Sequence, residues 1–163
     1  MQAKDAIRSA MNLSNLVYKS YLSDFEDAEL MCRPGPGCNH MAWQTGHLIA
    51  SEVSLLSTVF PKDAVELPQG FAEAHSKETA ESDDPAAFLT KQEYMSLMET
   101  VREQTLAVLD RATDEELSAA SPEAFRTWCP TVGDMFVLIG SHPLMHAGQI
   151  VPIRRQLGKP VLF

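Results

Sequence analysis

A chain of 163 residues, 45% of them hydrophobic, suits one compact domain with a proper core, and no linker, internal repeat or low-complexity tract divides residues 1–163. A net charge of −9 with only 13 scattered lysines and arginines lacks the basic stripe that displaces counterions from phosphates, so neither nucleic acid nor an anionic membrane is an expected partner. The first residues carry no apolar core of signal-peptide length and no stretch nears the ~20 apolar residues of a membrane span; three cysteines make no disulfide framework, and a reducing cytoplasm is the expected compartment.

Helical periodicity dominates the chain. The first predicted helix runs from about Asp5 to Phe25, with Ile7, Met11, Tyr18, Leu22 and Phe25 on one face. Arg33-Pro34-Gly35-Pro36-Gly37 cannot continue it and reads as a loop. Asn39 is the expected N-cap of a second helix that ends near Val59, with Trp43, Leu48, Leu55 and Val59 as apolar contacts. Residues 61–83, mixed in charge and carrying Pro68 and Gly70, read as a long crossover loop; loops of that length hold a short turn or cover a site.

The third helix is predicted from Asp84 as N-cap and Pro85 at the first helical position to about Asp110. Thr113-Asp114-Glu115-Glu116 has the capping-box pattern of a short helix to about Ala119. The last helix opens after Thr131, with Asp134 at the box position, and closes before Gly158. Pro143 and Pro152 interrupt it, and a kink is expected near Pro143 because the carbonyl of Ile139 loses its helical donor. Four long helices with one short loop and two longer connections make an all-α four-helix bundle the simplest architecture; an irregular all-α fold is the alternative.

His142 and His146 stand four apart on the last helix, so their rings leave one face a turn apart. The second helix offers His47, and facing helices in a bundle approach to about 8–10 Å, close enough for a third imidazole. Three neutral imidazoles with an open position are the usual scheme for catalytic zinc, and nickel or iron also accepts them. The plainer reading is that of ordinary core or surface histidines, because pairs at this spacing arise often by chance.

His40, two turns before His47, could be a fourth ligand or a supporting group, but its place in the first turn favours a part in the helix start. His75, among charged neighbours in the crossover loop, is expected to be solvated. Cys38 precedes the second helix where the dipole favours a thiolate, yet its spacing from Cys32 matches no common zinc or redox pattern. Glu52 lies about 140° around the helix from His47 and is not aligned as a base. Arg154 and Arg155 read as cations that offset a helix dipole, ahead of anion binding.

The segment Asn39-His40-Met41-Ala42-Trp43-Gln44-Thr45-Gly46-His47-Leu48 resembles the second-helix motif of the DinB-like (YfiT-like) metalloprotein superfamily. His142-Pro143-Leu144-Met145-His146-Ala147-Gly148-Gln149-Ile150, followed by Arg154-Arg155-Gln156-Leu157-Gly158, is similar to its last-helix motif. The resemblance implies an up-down-down-up four-helix bundle and one divalent ion on His47, His142 and His146. Nickel or zinc is the expected metal, with iron or manganese as further candidates, and members often form homodimers. His40, Trp43 and Gln149 are candidate residues beside the ligands.

The family's characterised members include thiol-dependent S-transferases and a thiol-dependent maleylpyruvate isomerase. The expected function is therefore transfer of a low-molecular-weight thiol to a small-molecule substrate. Metal-dependent hydrolysis is the close rival, and a non-catalytic stress-related metal-binding or interaction protein is the competing class. Pro143, directly after His142, departs from the motif and is expected to tilt His142 without removing a ligand.

Overall fold

Caps decide where the helices start in this computed structural model, which describes residues 2–163. In chain order the helices are α1 (Ala3–Leu22), α2 (Met41–Val59), α3 (Phe71–Ala74), α4 (Lys91–Arg111), α5 (Asp114–Ser118) and α6 (Val132–Gln156). Thr113 with Glu116 and Thr131 with Asp134 form the two expected capping boxes, which satisfy backbone donors left open in the first turns of α5 and α6. The α6 helix continues through Pro143 and Pro152 to Gln156.

Two starts differ from the sequence expectation. His40, not Asn39, caps α2: its Nδ1 accepts the Trp43 N–H at 3.1 Å, while the Asn39 carbonyl accepts from the Gln44 amide at 2.7 Å. Asp84 and Pro85 do begin a helical turn, with Asp84 accepting from the Ala86 N–H, but it is a single 3₁₀ turn over Pro85–Ala87. Phe88 then turns extended, and α4 restarts under its own capping box of Thr90 and Glu93. The extended Phe88 sets its ring against both His40 and His75, with centroids at 4.6 and 5.6 Å.

The four long helices pack as a ring in the order α1, α6, α2, α4. Met11 beneath Gly140 and Tyr21 beside Arg154 make α1 and α6 parallel. Lys4 on the carbonyls of Asp110 and Ala112, with Lys19 on Glu99, makes α1 and α4 antiparallel. Gln44 on His146 and Phe60 near Phe136 make α2 and α6 antiparallel. Glu52 on Arg102 and Asp63 on Arg111 make α2 and α4 parallel. The result is an up-down-down-up four-helix bundle, and the parallel α2–α4 pair is what demands the long crossover.

Apolar faces close on two core clusters. One gathers Tyr18, Leu22, Phe25, Met41, Ile49, Tyr94, Ile150 and Ile153. The other gathers Met11, Leu56, Val108, Leu109, Phe136 and Ile139. At the α1–α6 crossing Gly140 permits close contact, since a Cβ there would fall 2.8 Å from Met11 Cγ.

Arg154, in the last turn of α6, is wholly buried. It donates to both carboxylate oxygens of Asp24 and to the carbonyls of Tyr21 and Pro160, tying the end of α6 to the end of α1. Those donors hold the Asp24 carboxyl below the usual carboxylate range. Glu52, on a side of α2 away from His47, makes a buried ion pair with Arg102 at 2.8 Å, and burial pushes its carboxyl upward. The three cysteines are free, and among the described residues no helix is long and apolar enough to cross a membrane.

Candidate metal centre

Antiparallel packing of α2 against α6 brings His47 to His142 and His146. One ring nitrogen from each of the three lies within 4.8 Å of the others, and the ring of His47 sits 5.4 and 5.6 Å from its two partners. The Nε2 atoms of His142 and His146 approach to 3.2 Å. Two nitrogens on a tetrahedral ion at ~2.0–2.1 Å stand about 3.3 Å apart, so the donor set fits a divalent metal without rearrangement of this pair.

Tautomer and orientation are set from behind. The Gln44 amide donates to the Asn39 carbonyl, which turns its Oε1 toward His146 and accepts the Nδ1–H of that ring at 3.0 Å. His146 Nε2 is thereby left with its lone pair toward His142, as a ligand requires. Trp43, one turn before His47, stacks on the His47 ring at 4.8 Å and 7°, and its indole N–H donates to the Ser76 carbonyl at 2.9 Å. A backbone group of His75 lies beside the His47 ring, and Ser51 Oγ lies 3.4 Å from His47 Nε2.

Burial holds all three imidazoles neutral. It lowers His146 to about 3 and His142 to about 4, with neighbouring imidazoles adding to the effect, and it lowers His47 as well. Neutral imidazole is the metal-binding form, so few protons compete with a cation near neutrality.

Not every expected residue stands where the motif suggested. Gln149 is exposed and makes no side-chain hydrogen bond to the cluster among the described residues; Gln44, on the opposite helix, makes that contact instead. His40 spends Nδ1 on the Trp43 amide and Nε2 on the Ser82 carbonyl, so it belongs to the helix start. His75 is the clear correction: only 2% exposed, it packs on Gly46, where a Cβ would fall 2.0 Å from its Cδ2. A glycine in mid-helix costs about 1 kcal/mol relative to alanine and often marks such a close approach, which was the available signal. None of the cysteines joins the cluster.

An open cleft of about 430 Å³ adjoins the centre and shares His142 with it. Leu55, Leu138, Met145, Phe125 and Trp128 give it apolar walls, and Ser51 and Ser54 supply hydroxyls. Trp128 is 63% exposed although it lines the cleft.

Two solved structures share this architecture. A conserved protein from Enterococcus faecalis matches with a TM-score of 0.67 at 20% identity, over 98% of this chain and 99% of its own. YfiT from Bacillus subtilis, described as a probable metal-dependent hydrolase with an unusual four-helix bundle topology, matches with a TM-score of 0.64 at 16% identity, over 96% of this chain and 89% of its own. No curated protein matches the chain in sequence. The sequence profile of the DinB superfamily, however, covers residues 17–150, taking in all three histidines of the cluster and the crossover, and the chain belongs to that superfamily.

Proposed function

We propose that this protein is a metal-dependent enzyme that transfers a low-molecular-weight thiol to an uncharged, largely apolar electrophile, with His47, His142 and His146 holding one divalent ion. The observation that carries the reading is the cleft: it meets the histidine cluster at His142, and its remaining walls are apolar apart from two serines and backbone. Three imidazoles suit nickel or zinc best, with iron or manganese as further candidates.

When bound, such an ion lowers the pKa of a thiol and presents it as a nucleophile. The chain supplies the rest. Gln44 and Trp43 fix the ring planes of His146 and His47. Leu55, Leu138, Met145 and Phe125 take up the apolar body of the acceptor and exclude water around it. Ser51 and Ser54 offer hydroxyl donors to a polar atom of the acceptor. Sulfur bonds to the acceptor carbon, and the thiol proton leaves with the displaced group or ends on the oxygen of an opened ring.

Among the described residues the one acid–base side chain in the cleft wall is His142, itself read as a ligand, so no separate proton donor stands there, which ranks attack on a reactive electrophile ahead of cleavage reactions that need one for the leaving group. Hydrolysis is the second reading, favoured by the likeness to YfiT. The two separate cleanly in one assay. Metal-loaded, tag-free protein is incubated with epoxide and alkyl-halide acceptors, with and without a thiol. Acceptor loss that needs both thiol and metal supports transfer; turnover in water alone supports hydrolysis; no turnover of either kind, with metal retained, supports a non-catalytic binding protein.

A further inference from the structure

The crossover passes directly behind His47, and we propose that His75 is a positioning residue for that ligand. The inference rests on reading His47 as a metal ligand, and it gives the turn around the buried His75, between α2 and α4, a task beyond joining two helices.

The His75 ring is fully paired in place. Its Nδ1–H donates to the Phe71 carbonyl at 2.7 Å, which leaves Nε2 to accept from the Tyr94 hydroxyl at 2.7 Å. Tyr94 in turn receives the Leu89 N–H at 3.4 Å. The ring lies on the bare backbone of Gly46, the residue just before His47, and touches Phe71 with centroids 4.3 Å apart. A side chain so bounded has one position, and that position places its own backbone.

Two neighbouring peptide groups of this turn face His47 and the indole that stacks on it. A backbone group of His75 lies beside the His47 ring and favours its protonated form, against the larger effect of burial. The Ser76 carbonyl holds the Trp43 indole, and the indole stacks on His47. The Thr79 hydroxyl closes the turn from below, within 3.1 Å of the carbonyls of Glu73, Ala74 and Ser76. A metal-ligating histidine needs a partner at its other nitrogen to fix tautomer and ring plane, and loss of such a partner costs roughly 10–100-fold in metal affinity. Gln44 is that partner for His146; for His47 the Trp43 indole held by Ser76, with the His75 backbone beside the ring, fixes the ring plane.

The rival account is a histidine that merely stabilises the core. Cobalt(II) titration of the metal-free protein separates them, because d–d bands report ligand geometry independently of stability. Wild type, His75→Ala and Leu56→Ala are compared, Leu56 belonging to the core cluster away from the crossover. The expected result is cobalt binding weakened roughly 10–100-fold in His75→Ala with altered bands, while Leu56→Ala lowers Tm and keeps the wild-type affinity and spectrum. A folded His75→Ala with wild-type affinity and bands overturns the proposal. Should His75→Ala not fold, His75→Phe carries the test: it keeps the ring volume on Gly46 but loses both hydrogen bonds, and unchanged affinity and bands there overturn it equally. Wild type that takes up no cobalt overturns the ligand reading itself, a failure distinct from a wild type that binds and a His75 variant that binds as well.

Discussion

The histidine cluster has a covered face and an open one. On the covered face His146 leans on Gln44 and Asn39, and His47 leans on Trp43, which the Ser76 carbonyl holds; the side-chain polar atoms of Gln44 and Trp43 are paired. On the open face His142 borders an apolar cleft walled by half-exposed side chains such as Trp128. Paired buried groups hold orientation at little entropic cost on binding, whereas a wall of loosely bounded apolar side chains admits a substrate body. Rigidity and access are thus divided between the two sides of one site. Changes on the covered face should act on metal retention, and changes on the open face on substrate affinity.

The largest expected effect is His146→Ala, which leaves two imidazoles and removes stoichiometric metal retention; elemental analysis after gel filtration reads it. Next is Gly46→Ala. Its Cβ would overlap the His75 ring, so the variant should lose about 1–3 kcal/mol of stability in urea unfolding and bind metal more weakly. Gln44→Ala should cost roughly 10–100-fold in metal affinity by competition with a chelating dye, with cleft binding of a neutral fluorescent probe unchanged. Trp128→Ala tests the other face: KM for an apolar acceptor should rise by a factor corresponding to about 0.5–1.5 kcal/mol, with metal content and kcat near wild type.

A pH series sharpens the same contrast. In the unfolded chain the histidines titrate near 6.5, whereas burial lowers His142 to about 4 and His146 to about 3 in the folded, metal-free protein. Between those values the unfolded state binds more protons, so stability should be full above about pH 6.5 and fall steadily as the pH drops toward 4.5. Replacing His146 with Phe should flatten that slope. A metal-free wild type equally stable at pH 6.5 and 4.5 would contradict the burial assigned to the cluster.

Much of this was legible in the sequence, though unevenly. The boxes at Thr113 and Thr131 are short-range chemistry, and so were readable without tertiary context. Asp84 and Pro85 carried the same kind of signal and did start a turn; the break at Phe88, whose ring reaches across to His40 and His75, is tertiary, while the Thr90–Glu93 box that restarts α4 was a local signal like the other two. The i,i+4 pair put His142 and His146 on one face, and their meeting with His47 follows from the antiparallel α2–α6 contact. The up-down-down-up order came through the family resemblance alone, since spacing within helices says nothing of their direction.

His75 escaped because a histidine in an aperiodic, charged stretch has no face to be assigned. Its counterpart was visible as Gly46, a glycine in mid-helix beside a candidate ligand. Gln149 drew attention by proximity in the motif, while Gln44, 102 residues earlier in the chain and on the facing helix α2, holds the ring. Arg154 read only as a cation offsetting the helix dipole; its enclosure by Asp24 and the Tyr21 carbonyl needs the fold to bring α1 alongside.

The central claim is that His47, His142 and His146 form one metal site, and metal content tests it most directly. Tag-free protein and a His47→Ala variant, prepared side by side, are analysed by elemental mass spectrometry. The account predicts about one divalent ion per chain in the wild type and loss of that ion in the folded variant. Wild type that holds no metal even after nickel or zinc is added back, or a variant that retains as much as wild type, would contradict it.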